Sequence, residues 1–401
     1  MSDEVDARVL RRRLADELVG SGDLRSAGWR DAVEAVPREL FIPAFFERID
    51  DSVQTLWRPV TPELVPESER LALTYTNETW VTQLDHSVGP MDSGVPVPGV
   101  PTSSSTLPGL VVRMLEELQV EDHHQILEVG TGTGYSAALL SHRLGGGRLT
   151  SVEVDPMVAD RAANSLRTAG YEPRLVVGDG LAGHRPDSPY DRVIATCSVR
   201  HIPPAWISQT KAGGQILTTM LGWLQASSGL VRLEVSGPGT ADGEFLPGTD
   251  SFMPARPHEP PAVPADLIAW IDELSSTERP TTAGAEILDP WDGWTSSFIA
   301  QLAAPTAQLV TFAVDDGPMT AYLIDTAHGA FAALPEGSGT VRQGGEAAVW
   351  DAVEDSIDSW REAGSPELDR FRVRVTPDRQ VVYYERLGGP LSWELPGFSG
   401  A

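Results

Sequence analysis

The sequence predicts an α/β protein whose central part is a doubly wound, mostly parallel sheet. Between Pro108 and about Pro257, short apolar runs alternate with helical patterns, as in proteins with parallel sheets. One of these apolar runs leads directly into a glycine-rich turn that is followed by a helix. After residue 265 the pattern changes to aromatic-rich strands with one clear helix, which predicts a smaller α+β C-terminal domain.

The chain length and its prolines predict the domain organisation. The 401 residues are too many for one ordinary core. Prolines stand at positions 254, 257, 260, 261 and 264, so this stretch is the expected linker. We therefore expect an N-terminal segment over 1–107, a central domain over 108–257 and an accessory domain over 265–401.

The elements of each segment follow from hydrophobic periodicity. Leu10, Leu14 and Leu18 predict that much of 7–49 is helical, and the Pro/Gly/Ser-rich stretch 50–108 predicts loops and short strands. In the central segment we expect strands at 125–129, 148–154, 173–177, 192–196 and 215–220, with helices at 110–118 and 136–144. In the accessory segment we expect strands at 309–314, 321–324, 371–375 and 381–386, with a helix at 347–361.

The charge balance limits the class of partner. A net charge of −27, from 57 acidic and 30 basic residues, disfavours nucleic acid and anionic membranes, because both bind clustered Lys and Arg. It also repels an acidic peptide at long range. No apolar run approaches the roughly 20 residues that span a bilayer. Residues 1–6 are acidic and show no secretory signal. These features favour a cytoplasmic protein.

Cysteine and histidine give no sign of a metal site. Cys197 is the only cysteine, which excludes an intramolecular disulfide and a four-cysteine zinc site. His123, His124 and His142 lack the spacing of zinc ligands, so no metal is expected. The acids Asp315 and Asp316 before Gly317 predict a turn.

The glycine-rich turn is the main functional signal. It comprises Gly130, Gly132 and Gly134 and lies between an apolar run ending at Val129 and the predicted helix. Glycine allows a tight turn and a close approach of the backbone to a ligand, and a helix N-terminus offers unpaired N–H groups. Nicotinamide and flavin sites use similar turns, so this motif alone does not identify a cofactor.

Two acidic residues narrow the type of ligand. Glu153 ends the next predicted strand about 20 residues after the glycines, where a carboxylate can accept hydrogen bonds from ribose hydroxyls. Asp179 lies between Gly178 and Gly180 after the third strand, where its side chain and the following N–H can read an adenine edge. Each feature alone is common in α/β folds, but their order and spacing favour a nucleoside-containing cofactor.

Together these motifs resemble those of the protein-L-isoaspartate O-methyltransferases. The segment from Val36-Pro37-Arg38 to Phe41-Ile42-Pro43 and the segment Phe252-Met253-Pro254 are similar to further motifs of that family, so the resemblance covers about 7–257. It implies a Rossmann-like class I methyltransferase fold and S-adenosyl-L-methionine as cofactor. By this resemblance the cofactor is held by Glu128, Gly130, Thr131, Gly132, Thr133, Gly134, Glu153, Val154, Asp179, Gly180 and Thr196.

The chain departs from the family at the position of its substrate-side serine. Thr106 stands where the family usually has Ser, and Ser104 or Ser105 can act in its place. Hydroxyls here would orient a substrate carboxylate, so Ser104, Ser105 and Thr106 are the candidate catalytic residues. The alternative is that they only cap the following helix. A catalytic pair of Cys197 and His201 is also conceivable, although a pocket-lining loop explains that segment more simply.

The expected substrate is a protein or peptide. Extended members of the family look like enzymes that work beside lanthipeptide or ATP-grasp (graspetide) maturases; these methylate an Asp side chain of a ribosomally made, modified precursor peptide. The ester then cyclises to an aspartimide, which can hydrolyse to isoaspartate. The accessory domain, expected to have no counterpart in the repair enzyme, would then recognise the precursor peptide. The alternatives are a general repair methyltransferase with an appended domain and a protein whose C-terminal binding role dominates. The precursor, the target residue and the oligomeric state stay open.

Overall fold

The protein is described here by a computed structural model that covers residues 6–50, 55–224, 227–291, 293–314 and 317–397. Asp315 and Asp316, for which a turn is predicted, and residues 1–5 of the acidic N-terminus lie outside these ranges. The chain forms two compact units. Unit 1 comprises residues 1–196 and 208–217, and unit 2 comprises residues 197–207 and 218–401.

The N-terminal part of unit 1 consists of helices and an antiparallel sheet. Its four strands lie in the order β2-β1-β3-β4. The predicted helical region ends at residue 35, because the aromatic residues after Pro43 pair as the first strand of this sheet. The elements are α1 (Ala7–Ser21), α2 (Ala27–Ala35), β1 (Phe45–Asp50), β2 (Thr55–Val60), α3 (Glu67–Thr74), β3 (Trp80–Leu84), β4 (Pro101–Ser105) and α4 (Pro108–Glu117).

The central part of the chain forms the predicted parallel sheet. Strands β8, β5, β6 and β7 are adjacent in that order, and each neighbouring pair is parallel. Asp155 caps the N-terminus of α6 through its side chain, and Pro156 occupies the first helical position. The elements are β5 (Ile126–Val129), α5 (Tyr135–Leu144), β6 (Leu149–Glu153), α6 (Pro156–Thr168), β7 (Arg174–Val177), β8 (Tyr190–Val199), α7 (Pro204–Gln209) and β9 (Thr210–Leu221).

Unit 2 is built mainly from antiparallel strands. One group runs in the order β10-β11-β17-β18-β19, and a separate five-stranded sheet has the order β12-β16-β15-β14-β13. In α10 the buried residues Trp350, Val353 and Ile357 recur at helical spacing. The elements are β10 (Ser228–Gly237), β11 (Thr240–Phe245), α8 (Leu267–Asp272), β12 (Ser276–Pro280), α9 (Trp294–Ala303), β13 (Gln308–Ala313), β14 (Met319–Asp325), β15 (Ala330–Pro335), β16 (Thr340–Gly345), α10 (Val349–Glu362), β17 (Arg372–Val375), β18 (Gln380–Tyr384) and β19 (Leu391–Glu394).

The boundaries of these units differ from the predicted domain boundaries. The proline-rich stretch 254–264 lies inside unit 2. Strand β11 precedes this stretch and β17 follows it, yet the two strands pair, with Ala241 opposite Val375 and Glu244 opposite Arg372. Because backbone hydrogen bonds join residues from both sides of the prolines, this stretch connects parts of one unit.

Candidate cofactor and substrate site

The glycine-rich turn follows β5 directly and requires glycine at its first position. Gly130, Gly132 and Gly134 all have positive φ, at 91°, 54° and 89°. A Cβ atom added to Gly130 would lie 2.8 Å from the Thr196 hydroxyl oxygen, closer than side-chain carbons approach. Gly134 is the residue before α5, so the turn ends at a helix N-terminus. The predicted strand, turn and helix are therefore all present in unit 1.

Glu153 ends the neighbouring strand and faces this turn. Its Oε2 accepts a hydrogen bond from the Gly132 N–H at 2.9 Å, and its Oε1 accepts one from the Asp155 N–H at 3.0 Å. The residue is 8% exposed. A carboxylate has further acceptor sites on each oxygen. Glu153 can thus still accept hydrogen bonds from the two hydroxyls of a ribose, and the exposed Val154 follows it in the chain.

The segment 178–180 forms a close-fitting turn beside β5. Asp179 is exposed, and its Oδ1 accepts a hydrogen bond from the Leu181 N–H at 2.9 Å. A Cβ atom on the buried Gly180 would lie 2.4 Å from Val129 Cγ1, so only glycine allows this approach. The backbone N–H of Gly180 and the carboxylate of Asp179 lie in adjacent residues, as recognition of an adenine edge requires.

Glu128 lies beneath the turn and does not fit the prediction of a direct cofactor contact. It is 0% exposed. Its Oε2 accepts a hydrogen bond from the Ser151 hydroxyl at 2.6 Å, and that hydroxyl also lies 2.6 Å from the Thr131 hydroxyl. Burial raises the pKa of Glu128 to about 7, and the Ser151 hydrogen bond opposes this rise. Glu128 therefore supports the glycine-rich turn from within the protein.

The three predicted threonines have different surroundings. Thr131 is 4% exposed and its hydroxyl belongs to the buried chain just described, which leaves its backbone as the part that can meet a cofactor. Thr133 is half-buried. The Thr196 hydroxyl donates to the carbonyl oxygens of Gly130 and Val129 and so holds the turn against β8.

The candidate hydroxyl residues lie on or just after β4, where strand geometry separates them. Ser103 and Ser105 are buried on one face, at 7% and 3% exposure, while Ser104 and Thr106 are half-buried. A Cβ atom on Gly132 would lie 3.5 Å from the Ser104 carbonyl oxygen, so β4 passes beside the glycine-rich turn. The Ser105 hydroxyl faces inward and accepts from Arg38 Nη2 at 3.5 Å. Ser104 and Thr106 therefore fit a substrate-facing role better than Ser105 does.

Arg38, from the Val-Pro-Arg motif, is an interior support of this strand. It is 0% exposed, and its Nη1 donates to the carbonyl oxygens of Thr74 and Thr76 at 2.7 and 3.0 Å. Its Nη2 also donates to the carbonyl oxygen of Thr106 at 3.3 Å. Burial lowers the pKa of Arg38 to about 10, which leaves it charged at neutral pH. The guanidinium therefore fixes the backbone on both sides of the strand pair β3–β4.

Gln83 was missed by the sequence analysis. It is 1% exposed on β3, its Nε2 donates to Asp155 Oδ2 at 3.2 Å, and its Oε1 accepts from the Thr102 hydroxyl at 3.0 Å. These bonds link β4 to the loop that follows Glu153. The sequence feature that could have indicated its role is a polar residue between the apolar Val81 and Leu84.

The histidines have protein partners. His142 Nε2 lies 2.8 Å from Asp31 Oδ2 and its Nδ1 lies 3.0 Å from the Tyr171 hydroxyl. Glu121, His123 and His124 lie close enough for a shared ion, with their ligand atoms within 4.8 Å of one another. However, the Glu121 N–H donates to His124 Nδ1 at 3.0 Å, which leaves the proton of the neutral ring on Nε2. That tautomer offers a metal no free nitrogen.

In unit 2 the ring of His201 packs on the ring of His258, with centroids 4.6 Å apart. Cys197 is half-buried, and its carbonyl oxygen accepts a hydrogen bond from the Thr218 hydroxyl at 3.5 Å. In the part of the chain that the structure describes, none of the helices has the length and apolar character needed to cross a bilayer.

Comparison with known proteins extends these observations. Residues 74–231 match the family model "Protein-L-isoaspartate(D-aspartate) O-methyltransferase". A protein-L-isoaspartate O-methyltransferase of Methanopyrus kandleri is 30% identical over 218 residues, which are 53% of this chain and 78% of that protein. Protein-L-isoaspartate O-methyltransferase 1 of Archaeoglobus fulgidus is 32% identical over 212 residues, which are 52% of this chain and 77% of that protein. The family model thus spans less than the expected 7–257.

The similarity of fold extends further along the chain. A solved structure described as a protein-L-isoaspartate O-methyltransferase has a TM-score of 0.51 and 18% sequence identity, and the match covers 95% of this chain and 98% of that one. The expectation that the C-terminal region has no counterpart in such enzymes is therefore wrong at the level of fold. This chain belongs to the protein-L-isoaspartate O-methyltransferase family.

Proposed function

We propose that the enzyme esterifies an aspartate-derived carboxylate held by the hydroxyls of Ser104 and Thr106. The observation that carries this proposal is the position of β4, whose Ser104 carbonyl oxygen lies against the glycine-rich turn. Gly130, Thr133, Gly134, Glu153, Val154, Asp179, Gly180 and Thr196 would hold S-adenosylmethionine, together with the backbone of Thr131 and Gly132. Glu128 would support the cofactor-binding residues from within the protein, and Ser105 would support the substrate-binding residues Ser104 and Thr106.

The chemistry asks little of the side chains beyond alignment. S-adenosylmethionine supplies an electrophilic methyl group when it is bound. A carboxyl group with an ordinary pKa near 4 is already ionised at neutral pH, so no side chain has to remove a proton. The hydroxyls of Ser104 and Thr106 can donate hydrogen bonds that orient the carboxylate without protonating it. Because the reaction is an in-line displacement, its rate depends on this alignment and on the exclusion of water.

Strand alternation gives a direct test of these roles. We expect Ser104→Ala to lower turnover while the affinity for S-adenosylmethionine stays within about threefold, since one orienting hydrogen bond is worth a modest factor. Ser105→Ala is the matched control on the opposite face, and it should act through stability rather than turnover of the folded protein. Steady-state kinetics with thermal denaturation separates the two effects. Equal turnover by Ser104→Ala, Thr106→Ala and the wild type would exclude an orienting role for these two hydroxyls.

For the natural substrate we propose an Asp side chain in a ribosomally made, modified precursor peptide. The support comes from the resemblance to extended family members and from the β1–β4 sheet, whose strand β4 lies beside the glycine-rich turn. The methyl ester of Asp is attacked by the backbone nitrogen of the next residue, which releases methanol and leaves an aspartimide. Water can then open the aspartimide to isoaspartate.

The second candidate is general repair of L-isoaspartyl residues in damaged proteins. A solved structure described as a protein-L-isoaspartate O-methyltransferase matches 95% of this chain. This match favours the second candidate, because a protein with that description then has a fold that extends over unit 2 as well. Both candidates use the same cofactor site and the same carboxylate chemistry. They differ in whether the accepted residue is aspartate or isoaspartate.

A set of three peptides distinguishes these candidates. The first two are linear and identical except for L-aspartate or L-isoaspartate at one position, and the third places the aspartate in a lactam-bridged ring that imitates a modified precursor. Mass spectrometry after incubation with S-adenosylmethionine detects a gain of one methyl group or a loss of water. Methylation of the isoaspartyl peptide alone supports repair. Methylation of the cyclic aspartyl peptide without the linear isoaspartyl one supports the precursor proposal.

We also propose that unit 2 contributes to recognition of the peptide. Eight aromatic residues of unit 2 are candidates for contact with a peptide, and their exposures differ. Phe298 and Trp350 are core residues, Trp291 is 92% exposed, and Trp294, Trp360, Tyr383, Tyr384 and Trp393 are half-buried. Trp291 is therefore the best single probe. Trp291→Ser should raise the KM for the accepted peptide, and Leu387→Ser is the control at another fully exposed apolar position of unit 2. Unchanged KM in both variants would remove Trp291 from the recognition surface.

A further inference from the structure

A continuous chain of hydrogen bonds joins β4 to the carboxylate at the end of β6. The His86 N–H donates to the Thr102 hydroxyl at 3.0 Å, and that hydroxyl donates to Gln83 Oε1 at 3.0 Å. Gln83 Nε2 donates to Asp155 Oδ2 at 3.2 Å, and the Asp155 N–H donates to Glu153 Oε1 at 3.0 Å. All of these residues belong to unit 1. The chain therefore runs from the strand proposed to meet the substrate to the side chain proposed to hold the ribose.

The contacts of Gln83 fix the orientation of its amide group. A carboxylate only accepts hydrogen bonds, so Asp155 must face the NH₂ group, and the amide oxygen then faces the Thr102 hydroxyl. Gln83 is buried, and so is Asp155, whose Oδ1 accepts hydrogen bonds from the N–H groups of Met157 and Val158 at the start of α6. Because both partners of the amide are held in this way, a displacement at one end of Gln83 is passed on to the other.

The pairing of β3 with β4 is irregular on both sides of Gln83. Gln83 lies opposite Ser103, but Thr82 is an extra residue in β3 on one side of this pair, and Thr102 is an extra residue in β4 on the other side. The second bulge cancels the shift of register that the first one introduces. Bulges change the direction of a side chain and are frequent next to active sites. The irregularity is therefore centred on the residue whose side chain reaches Asp155.

We propose that Gln83 is a positioning residue that couples cofactor binding to the order of the substrate strand β4. This inference rests on the proposed roles of Glu153 and β4. Ribose hydroxyls bound to Glu153 restrict its carboxylate, and the restriction reaches Gln83 and Thr102 through the N–H group and the carboxylate of Asp155. The hydroxyl residues that follow on β4 are then held in the position that alignment of the substrate requires. The coupling is reciprocal, so a peptide bound at β4 raises the affinity for the cofactor by the same factor.

Hydrogen–deuterium exchange of the full-length protein measures this coupling without a substrate. The probe is S-adenosylhomocysteine, the product that remains after methyl transfer, and mass spectrometry follows the backbone amides of 102–106. In the wild type, saturating probe should slow their exchange by about fivefold, the effect of fixing one hydrogen bond. Gln83→Met has a similar length but no amide, and it should lose this protection while it still binds the probe in calorimetry. Thr102→Val removes the other end of the same contact and should have the same effect.

Thr82 provides the matched control on the same strand. Its hydroxyl donates to the Ser103 hydroxyl at 3.2 Å and so joins β3 to β4, but this bond does not lead to Asp155. Thr82→Val should therefore keep the protection of 102–106. The proposal is overturned if the wild type shows no protection, if Gln83→Met and Thr102→Val keep it, or if Thr82→Val loses it equally. Circular dichroism of each variant confirms that it is folded.

Peptide binding gives a readout that a purely structural role of Gln83 would not move. For whichever of the three peptides the wild type methylates, S-adenosylhomocysteine should raise the affinity about fivefold in the wild type and not at all in Gln83→Met. A structural role alone would lower the melting temperature and leave this dependence on the cofactor unchanged.

The outcomes also separate this proposal from the proposed function. Protection that requires Gln83, in a protein that methylates none of the three peptides, supports the coupling and contradicts the proposed substrate. Methylation together with protection that survives Gln83→Met overturns the coupling alone. Failure of the wild type to bind S-adenosylhomocysteine overturns both.

Discussion

Glu153→Gln should weaken the binding of S-adenosylmethionine by about tenfold to a hundredfold. The wild-type carboxylate accepts hydrogen bonds from the N–H groups of Gly132 and Asp155 and has further lone pairs available for a ribose. Glutamine has the same shape, but one of its two terminal groups is a donor. That group would face either a backbone N–H or a ribose hydroxyl, so at least one charge-assisted hydrogen bond is lost, worth about 1.5–3 kcal/mol.

Calorimetric titration of the purified variant with S-adenosylmethionine measures this effect. The kcat at saturating cofactor should change much less than the dissociation constant, because the proposed partner of Glu153 is the cofactor ribose and not the substrate carboxylate. Glu172→Gln removes the same charge from an exposed site of unit 1 and serves as the control. The assignment of the ribose site to Glu153 is refuted if folded Glu153→Gln binds the cofactor within about twofold of the wild type.

Three further perturbations test the interior of unit 1. Gly180→Ala puts a Cβ atom 2.4 Å from Val129 Cγ1 and should cost about 1–3 kcal/mol in thermal denaturation, whereas Gly178→Ala meets nothing within 4 Å and should be nearly neutral. Arg38→Met leaves buried carbonyl oxygens without donors and should lower the free energy of unfolding in urea by about 3 kcal/mol or more. The same change at the exposed Arg25 should cost much less, and equal costs would contradict the structural role of Arg38. Glu128 has its pKa raised to about 7, so the folded protein keeps a proton that the unfolded chain releases from about pH 4.5 upwards, and stability falls as pH rises through this range. Relative to Glu128→Gln, the wild type should lose on the order of 3 kcal/mol between pH 4.5 and 7, and parallel pH profiles of the two proteins would exclude this.

The parallel sheet and its cofactor turn could be predicted because local sequence dictates them. An apolar strand, three glycines and a helix within 126–144 form one continuous segment, and the predicted strand at 173–177 differs from the observed β7 by a single residue. Strands buried on both faces are nearly continuous apolar runs, which makes them visible in a single sequence. The burial of Glu128 could not be predicted, because Ser151, whose hydroxyl donates a hydrogen bond to its carboxylate, lies on another strand.

The antiparallel parts of the chain were harder to predict. Strands β1 to β4 are short and are separated by proline-rich loops, so their periodicity is weak. The sequence analysis identified none of β10, β11, β12, β15, β16 and β19. The pairing of β11 with β17 joins residues more than 100 positions apart, and no local pattern reports such a contact. A truncated chain that ends near residue 262, at the predicted linker, is therefore not a clean test of what unit 2 does. It would remove the partner of β11 and expose a strand edge.

Knowledge of the fold changes the functional assignment of the hydroxyl residues on and after β4. In the sequence, Ser104, Ser105 and Thr106 are three equivalent hydroxyl donors before a helix. Once the segment is known to be a strand, the period of two puts Ser105 with the buried Ser103 and leaves Ser104 and Thr106 on the other side. The hydrogen bond of Ser105 to the fully buried Arg38 then gives this serine a structural partner. For this reason our proposal assigns the orientation of the carboxylate to Thr106, the residue of the family pattern, and to Ser104, and not to Ser105.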